Sequence, residues 1–140
     1  MRNINIGELL TNFLDKTAYS DQVVINLNLI LCVNPSLFST AIDNLVRNGL
    51  SYNDSKSKYI KIYLEGDSTI CIEDNGRGLS KEDFLLYCKP YSRKPGQKEA
   101  GSGLGLNIAK AILSEHKFKL EPEKTNTGTI MRIYTNESNK

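Results

Sequence analysis

The segment Ala100-Gly101-Ser102-Gly103-Leu104-Gly105-Leu106-Asn107-Ile108-Ala109 sets three glycines two residues apart and then runs without a break into an apolar-periodic helix. Glycine lets a backbone come close to a ligand and take positive φ, and a helix N-terminus offers unpaired N–H groups and partial positive charge to an anion. A second glycine turn, Asp74-Asn75-Gly76-Arg77-Gly78-Leu79, precedes it in the chain. Together the two turns read as opposite walls of a nucleotide pocket. A third element lies upstream, where Asn44 and Asn48 stand one turn apart on an expected helix.

The rest of the chain surrounds these three elements with alternating helix and strand patterns. Leu9, Leu10, Phe13 and Leu14 have helical spacing, which predicts a helix over 6–19. Val23, Ile25, Leu27 and Leu29 alternate with polar residues, so 22–30 reads as one half-buried strand. Pro35 opens a helix whose stripe is Phe38, Ala41, Ile42, Leu45 and Val46, reaching about Tyr52. Strands over 58–65 and 69–73 meet at Gly66-Asp67 in a hairpin, and a short helix over 80–87 comes next. Residues 89–102 hold Pro90, Pro95, Gly96 and Gly101 without apolar periodicity, and read as a long functional loop. A helix over 104–115 and closing strands over 118–120 and 129–135 complete a single domain, 1–140.

Composition narrows the partners. A chain of 140 residues with 39% hydrophobic and 24% charged residues is globular, and a formal net charge of +2 argues against a general nucleic-acid or membrane binder. No apolar run approaches the roughly 20 residues of a membrane span, and no signal-peptide pattern opens the chain, so the expectation is a cytoplasmic domain without direct membrane contact. Cys32, Cys71 and Cys88 lack C-x-x-C spacing and are expected as reduced thiols.

Asparagine costs a helix about 0.5–0.7 kcal/mol relative to alanine, so two of them on one face need a reason. A polar helix edge would supply one, and so would a turn at Asn48-Gly49. Asp74 ends a strand, where it could serve a simple turn or present a carboxylate to the exocyclic amine of adenine. The spacing G-x-G-x-G after a polar loop departs from the dinucleotide fingerprint G-x-G-x-x-G after a strand, and there is no Walker lysine motif.

Three boxes in this order resemble the ATP-binding catalytic domain of sensor histidine kinases, in the superfamily that also holds gyrase, the Hsp90 chaperones and MutL. Residues 41–52 are similar to the asparagine box, 74–79 to the first glycine box and 101–106 to the second. The resemblance implies an α/β (α+β) two-layer sandwich, the Bergerat fold, with a mixed and mainly antiparallel sheet backed on one face by three helices. It implies Mg²⁺-ATP as ligand, with Asn48 as the amide ligand of Mg²⁺ and Asn44 where the gyrase and Hsp90 branch has a glutamate base. An amide cannot take a proton from water, which favours a kinase over a hydrolase.

Tyr52 then matches an aromatic beside the nucleotide, and Asp74 the acceptor of the adenine amine. Gly76, Gly78 and Leu79 form the turn under the base. Gly101, Ser102, Gly103, Leu104, Gly105 and Leu106 form the glycine-rich end of an ATP lid over 89–102, in which Arg93 and Lys94 contact the γ-phosphate. Cys88 stands where the family has phenylalanine, and Ser51 where it often has lysine. His116 is followed by Lys117 and Phe118 where the family commonly has two glycines, and reads as structural, not as the phosphoacceptor. The implied partners are a phosphoacceptor histidine domain, in cis or in trans, and a downstream response regulator. The alternatives are a stand-alone regulator of the same fold, such as an anti-sigma serine kinase, and a gyrase- or MutL-like ATPase.

Overall fold

The computed structural model describes residues 1–88 and 105–135. In chain order they form β1 (Arg2–Asn5), α1 (Ile6–Leu14), β2 (Val23–Asn26), β3 (Ile30–Val33), α2 (Pro35–Ser51), β4 (Ile60–Glu65), β5 (Thr69–Asp74), α3 (Lys81–Tyr87), α4 (Gly105–Glu115), β6 (Lys119–Lys124) and β7 (Thr129–Tyr134), with a single 3₁₀ turn at Ser20–Gln22. Five strands make one sheet in the order β2-β4-β5-β7-β6, and β1 pairs with β3 in a separate ribbon. Within the larger sheet β2 and β4 are parallel, and every other neighbouring pair is antiparallel.

Strand alternation sends one row of each pleat to the helices. Ile62, Ile72 and Met131 stand side by side in register, as do Leu64, Ile70, Ile133 and Leu120. All of these but the half-buried Leu64 join Leu10 and Leu14 of α1, Phe38, Ile42 and Leu45 of α2, and Leu106, Ala109 and Leu113 of α4 in one core. The result is the expected two-layer sandwich with three helices against the sheet, and α3 as a shorter fourth. On the opposite face Arg132 bridges Glu65 and Glu123, and the Tyr63 hydroxyl donates to Glu73. Pro122 lies in β6, an edge strand where the missing N–H costs no ladder bond on the open side.

The observed helix starts obey capping chemistry. Asn5, Asn34 and Ser80 accept from the backbone N–H of Glu8, Leu37 and Asp83, each at 3.1 Å, and Pro35 occupies the first turn of α2. Helix α1 stops at Leu14, short of the expected Tyr19, because Thr17 turns back and donates its hydroxyl and its N–H to the Leu14 carbonyl. The apolar stripe ends at Leu14 as well.

The expected strand over 22–30 is two strands in two sheets. Between them Leu27 runs so close to α1 that a Cβ on Gly7 would lie 2.0 Å from its carbonyl oxygen, and the Leu29 carbonyl accepts from Ile6. Alternation continues through this bend, since Leu27 and Leu29 still pack against the core, but the hydrogen-bond partner changes from β4 to β1. β1 itself went unanticipated, as did the length of β6. All three cysteines are free thiols. Among the described residues no helix is long and apolar enough to cross a membrane. The expected loop and lid over 89–102 lies outside the described residues.

The residues after His116 shape the end of α4. The Phe118 N–H bonds the Leu113 carbonyl and the Lys117 N–H that of Ser114, the paired bonds of a Schellman ending. That ending puts Lys117 in the left-handed region at φ 64°, a conformation that suits glycine. Relief of the left-handed cost, less the extra chain entropy of glycine, should make Lys117→Gly more stable by about 0.5–1 kcal/mol. Urea denaturation of the two proteins measures the difference; an unchanged or lower midpoint would contradict it.

Candidate functional site

Register decides the surroundings of Asp74. Along β5, Ile70 and Ile72 face the helices, and Asp74, two residues further, faces the same way between Ile60 of β4 and Thr129 of β7. A carboxylate thus sits at the end of a core row, partly buried, where burial raises its pKa above the ordinary carboxylate value. Two backbone donors, Gly76 N–H at 2.8 Å and Thr129 N–H at 3.3 Å, oppose that rise by favouring the ionised form. Both fall on Oδ1. Oδ2 is directed to Gly49, where an added Cβ would stand 3.0 Å away.

The last turns of α2 form the adjoining wall. Asn44 and Asn48 are both partly buried, and Asn48-Gly49 lies within the helix, not in a turn. Arg47 donates to the Asn44 amide oxygen at 3.2 Å. A guanidinium can only donate, so the oxygen of Asn44 must face it and the amide NH₂ is turned to the other side. Arg47 is itself paired with Asp43 at 3.1 Å, and Asp43 also accepts from the Tyr19 hydroxyl. Burial raises the Asp43 pKa, against the lowering by Arg47.

Helix and strand end meet directly. The Tyr52 carbonyl accepts from Arg77 N–H at 3.2 Å and would lie 2.6 Å from a Cβ on Gly76, which leaves no room for a side chain there. The Arg77 guanidinium lies 5.6 Å from the centre of the Tyr52 ring and 3.4 Å from Asp54. Gly78, at φ 86°, continues the turn under the Lys124 side chain. The end of α2, with Asn48 and Tyr52, therefore adjoins the end of β5 and its turn, with Asp74, Gly76 and Gly78. Leu79 packs partly buried against the core.

The second glycine box is only partly described. Gly105 is the first residue of α4, with nothing within 4 Å of its Cβ position among the described residues, while Leu106 is 3% exposed and belongs to the core. Arg93, Lys94, Gly101, Ser102, Gly103 and Leu104 lie outside the described residues. Cys88 comes after α3, partly buried against the core, and burial pushes its thiol pKa up. His116 is buried: Nε2 accepts from Asn34 N–H at 3.1 Å, and Nδ1 is 2.8 Å from the Ile112 carbonyl, which requires the proton on Nδ1. Its ring stacks on Phe118, a structural place as expected.

Sequence reading missed residues that complete this wall. Thr129 holds Asp74 from β7, and Gly128 before it is forced by the Asp74 carbonyl, 2.0 Å from its Cβ position. The Gly-Thr pair was visible in the sequence, but only the β5–β7 register gives it meaning. Among the described residues no three His, Cys, Asp or Glu side chains cluster as a metal site.

The raised pKa of Asp74 makes stability depend on pH. Its folded value exceeds its unfolded one, so the stability it contributes is present at acid pH and is lost as pH rises through the folded value. Asp74→Asn keeps an Oδ1 acceptor for both backbone donors and removes the buried charge. Its melting temperature relative to the unsubstituted protein should therefore be higher at pH 7.5 than at pH 4, about the ordinary carboxylate range. Thermal denaturation without nucleotide at both pH values checks the sign.

The chain is similar to known proteins in sequence and in fold. Residues 33–139 match the family model described as histidine kinase-, DNA gyrase B- and HSP90-like ATPase. The chain is 30% identical over 103 residues to sensor histidine kinase CpxA of Escherichia coli strain K12, covering 71% of this chain and 22% of that protein. It is 28% identical over 126 residues to cyanobacterial phytochrome B of a Nostoc strain, covering 86% and 17%. The chain thus spans about a fifth of these relatives' length. Among solved structures, the mycobacterial sensor histidine kinase MprB superposes with TM-score 0.76 at 18% identity, covering 94% of both chains, and a catalytic domain of histidine kinase ThkA with TM-score 0.71 at 19%, covering 94% and 93%. With the family model matched over most of its length, this chain belongs to the histidine kinase-, DNA gyrase B- and HSP90-like ATPases.

Proposed function

We propose that this chain is the ATP-binding catalytic domain of a two-component sensor histidine kinase, a single domain over 1–140 with an ATP lid at 89–102. It takes Mg²⁺-ATP and passes the γ-phosphoryl group to a histidine on another segment or chain, from which a response regulator takes it. One observation carries most of the reading: a core-facing carboxylate, Asp74, is set beside a glycine turn and against a helix that bears Asn44 and Asn48 and whose one acid, Asp43, is paired with Arg47. An ionised Asp74 Oδ2 suits the exocyclic amine of adenine, which guanine lacks at that position. Relatives named as sensor histidine kinases support the same branch.

In this reading Tyr52, Gly76, Gly78 and Leu79 line the base side. Gly101, Ser102, Gly103, Leu104, Gly105 and Leu106 shape the phosphate side, with Arg93 and Lys94 on the γ-phosphate. The amide oxygen of Asn48 is a hard neutral donor, which fits Mg²⁺, an ion that keeps most of its ligands as water and phosphate oxygen. Bound there, Mg²⁺ would offset phosphate charge. Asn44, its oxygen held by Arg47, offers an NH₂ donor to anionic oxygen. The acceptor imidazole nitrogen attacks phosphorus with its lone pair, the N–P bond forms as the bond to the bridging oxygen breaks, and ADP leaves. No residue of the wall must take a proton from water, so positioning and electrostatics do the chemistry.

Incubation with γ-labelled ATP tests the assignment. Alone, the domain should neither label itself nor release phosphate quickly; with a separate histidine-bearing helical hairpin, acid-labile label should appear on the hairpin. Acid-stable label on a serine of another protein would replace this reading with the regulator, and rapid phosphate release with an ATPase.

The metal assignment has its own measure. Asn48→Ala should weaken Mg²⁺-ATP binding about tenfold more than ATP binding in chelator, whereas a residue that merely packs would lower both equally. Isothermal titration with and without chelator gives the ratio.

A further inference from the structure

The loop that leaves α2, residues 53–59, carries no residue of the three boxes, yet its hydrogen bonds converge on one side chain of the opposite wall. Asn75 Oδ1 accepts from the buried Asn53 Nδ2 at 2.9 Å and from the Tyr59 N–H at 3.0 Å. Asn75 Nδ2 donates to the Ser57 carbonyl at 2.9 Å, and the Asn75 carbonyl accepts from the Ser55 hydroxyl at 2.6 Å. Asn53 in turn bends the loop by accepting from the Ser55 N–H at 2.9 Å. Both polar atoms of the Asn75 side chain are thus engaged by the segment after Tyr52, while its neighbour Asp74 turns inward to the pocket.

We infer that Asn75 is a positioning residue that sets the gap between the α2 wall, with Asn48 and Tyr52, and the β5 wall, with Asp74 and Gly76. The inference rests on the nucleotide reading of this pocket. The two walls come from elements separated by a loop and a whole strand, and within α2 it is Gly49, three residues before Tyr52, that meets Asp74. The two walls already touch where Gly49 faces Asp74, where the Arg77 N–H meets the Tyr52 carbonyl and where the Arg77 guanidinium lies by the Tyr52 ring and Asp54. The four bonds of Asn75, spread along residues 53–59, add a tie from the loop after Tyr52 to the residue next to Asp74 and so hold the carboxylate at one distance from the aromatic wall.

With its amide engaged by the loop, Asn75 acts on nucleotide through Asp74, and a double-mutant cycle measures that coupling. ATP affinity is measured by calorimetry for the unsubstituted protein, Asn75→Ala, Asp74→Asn and the double variant, at a temperature where circular dichroism shows each folded. Asn75→Ala should weaken ATP about tenfold, and less than about threefold in the Asp74→Asn background, because the carboxylate it positions is gone. GTP, which Asp74 cannot hold, should lose little, so the ratio of ATP to GTP affinity falls. A lowered melting temperature with full ATP affinity, or the same fold-loss in both backgrounds, would overturn the inference and leave Asn75 a stabilising residue only. Should Asn75→Ala fail to fold, Ser55→Ala deletes one of the four bonds and enters the same cycle, with a smaller ATP loss that must again vanish beside Asp74→Asn. Unchanged ATP binding by Asp74→Asn alone would remove the nucleotide reading itself, and that outcome is separate from the Asn75 result.

Discussion

The inward-facing carboxylate of Asp74 is the constraint around which the neighbouring elements are cut. Strand alternation would place an isoleucine-like residue at the end of the Ile70–Ile72 row, and an acid there loses hydration. Two backbone N–H groups from the turn and from β7 offset part of that loss. Gly49 in α2 and Gly128 before β7 would each drive a Cβ into Asp74, at 3.0 Å from its Oδ2 and 2.0 Å from its carbonyl oxygen, and a Cβ on Gly76 in the turn would meet the Tyr52 carbonyl at 2.6 Å and Asp74 Oδ1 at 3.1 Å.

The amide at Asn44 has a structural counterpart that its sequence position alone did not reveal. A hydrolase would need a carboxylate near the phosphates, and the adjacent residue, Asp43, is a carboxylate. It is spoken for. Asp43 accepts from the Tyr19 hydroxyl and pairs with Arg47, which places it on the α1 side of α2 and ties it into the frame. Arg47 in turn fixes which end of the Asn44 amide faces outward. Under the proposed function the same chain of side chains would withhold a base and orient a donor, two conditions for phosphoryl transfer without competing attack by water.

How far the sequence reached depended on whether a feature was local. Helices α2 and α4 and the β4–β5 hairpin were legible, since their periodicity, caps and turn residues act within a few positions. The carboxylate at Asp74 and the glycine turn were legible as a motif. What could not be read was pairing across the chain: that residues 22–30 serve two sheets, that Arg2–Asn5 finds Ile30–Val33, and that Thr129 lies opposite Asp74. Asn75 reads within its box as a turn residue, and its role emerges only once residues 53–59 fold back on it. The lid residues Arg93 and Lys94 fall outside the described residues and belong to the proposal alone.

Catalysis by positioning demands a stiff platform, and α2 is held at both ends by groups outside the helix. At its start Asn34 caps the first turn with its side chain and gives its own N–H to His116, whose other ring nitrogen is bound within α4. At its end the Lys58 ammonium donates to the Leu50 carbonyl, one of the acceptors a helix terminus leaves open, and the Tyr52 carbonyl takes Arg77. Asn44 and Asn48 lie between these anchors, on a helix packed along α4 and over β4 and β5. A helix free at either end could fray by a turn, about 5.4 Å of axial length, and carry Asn48 with it. His116 thus ties the start of the helix that bears the asparagines to α4, which packs on the same core as the strand that bears Asp74.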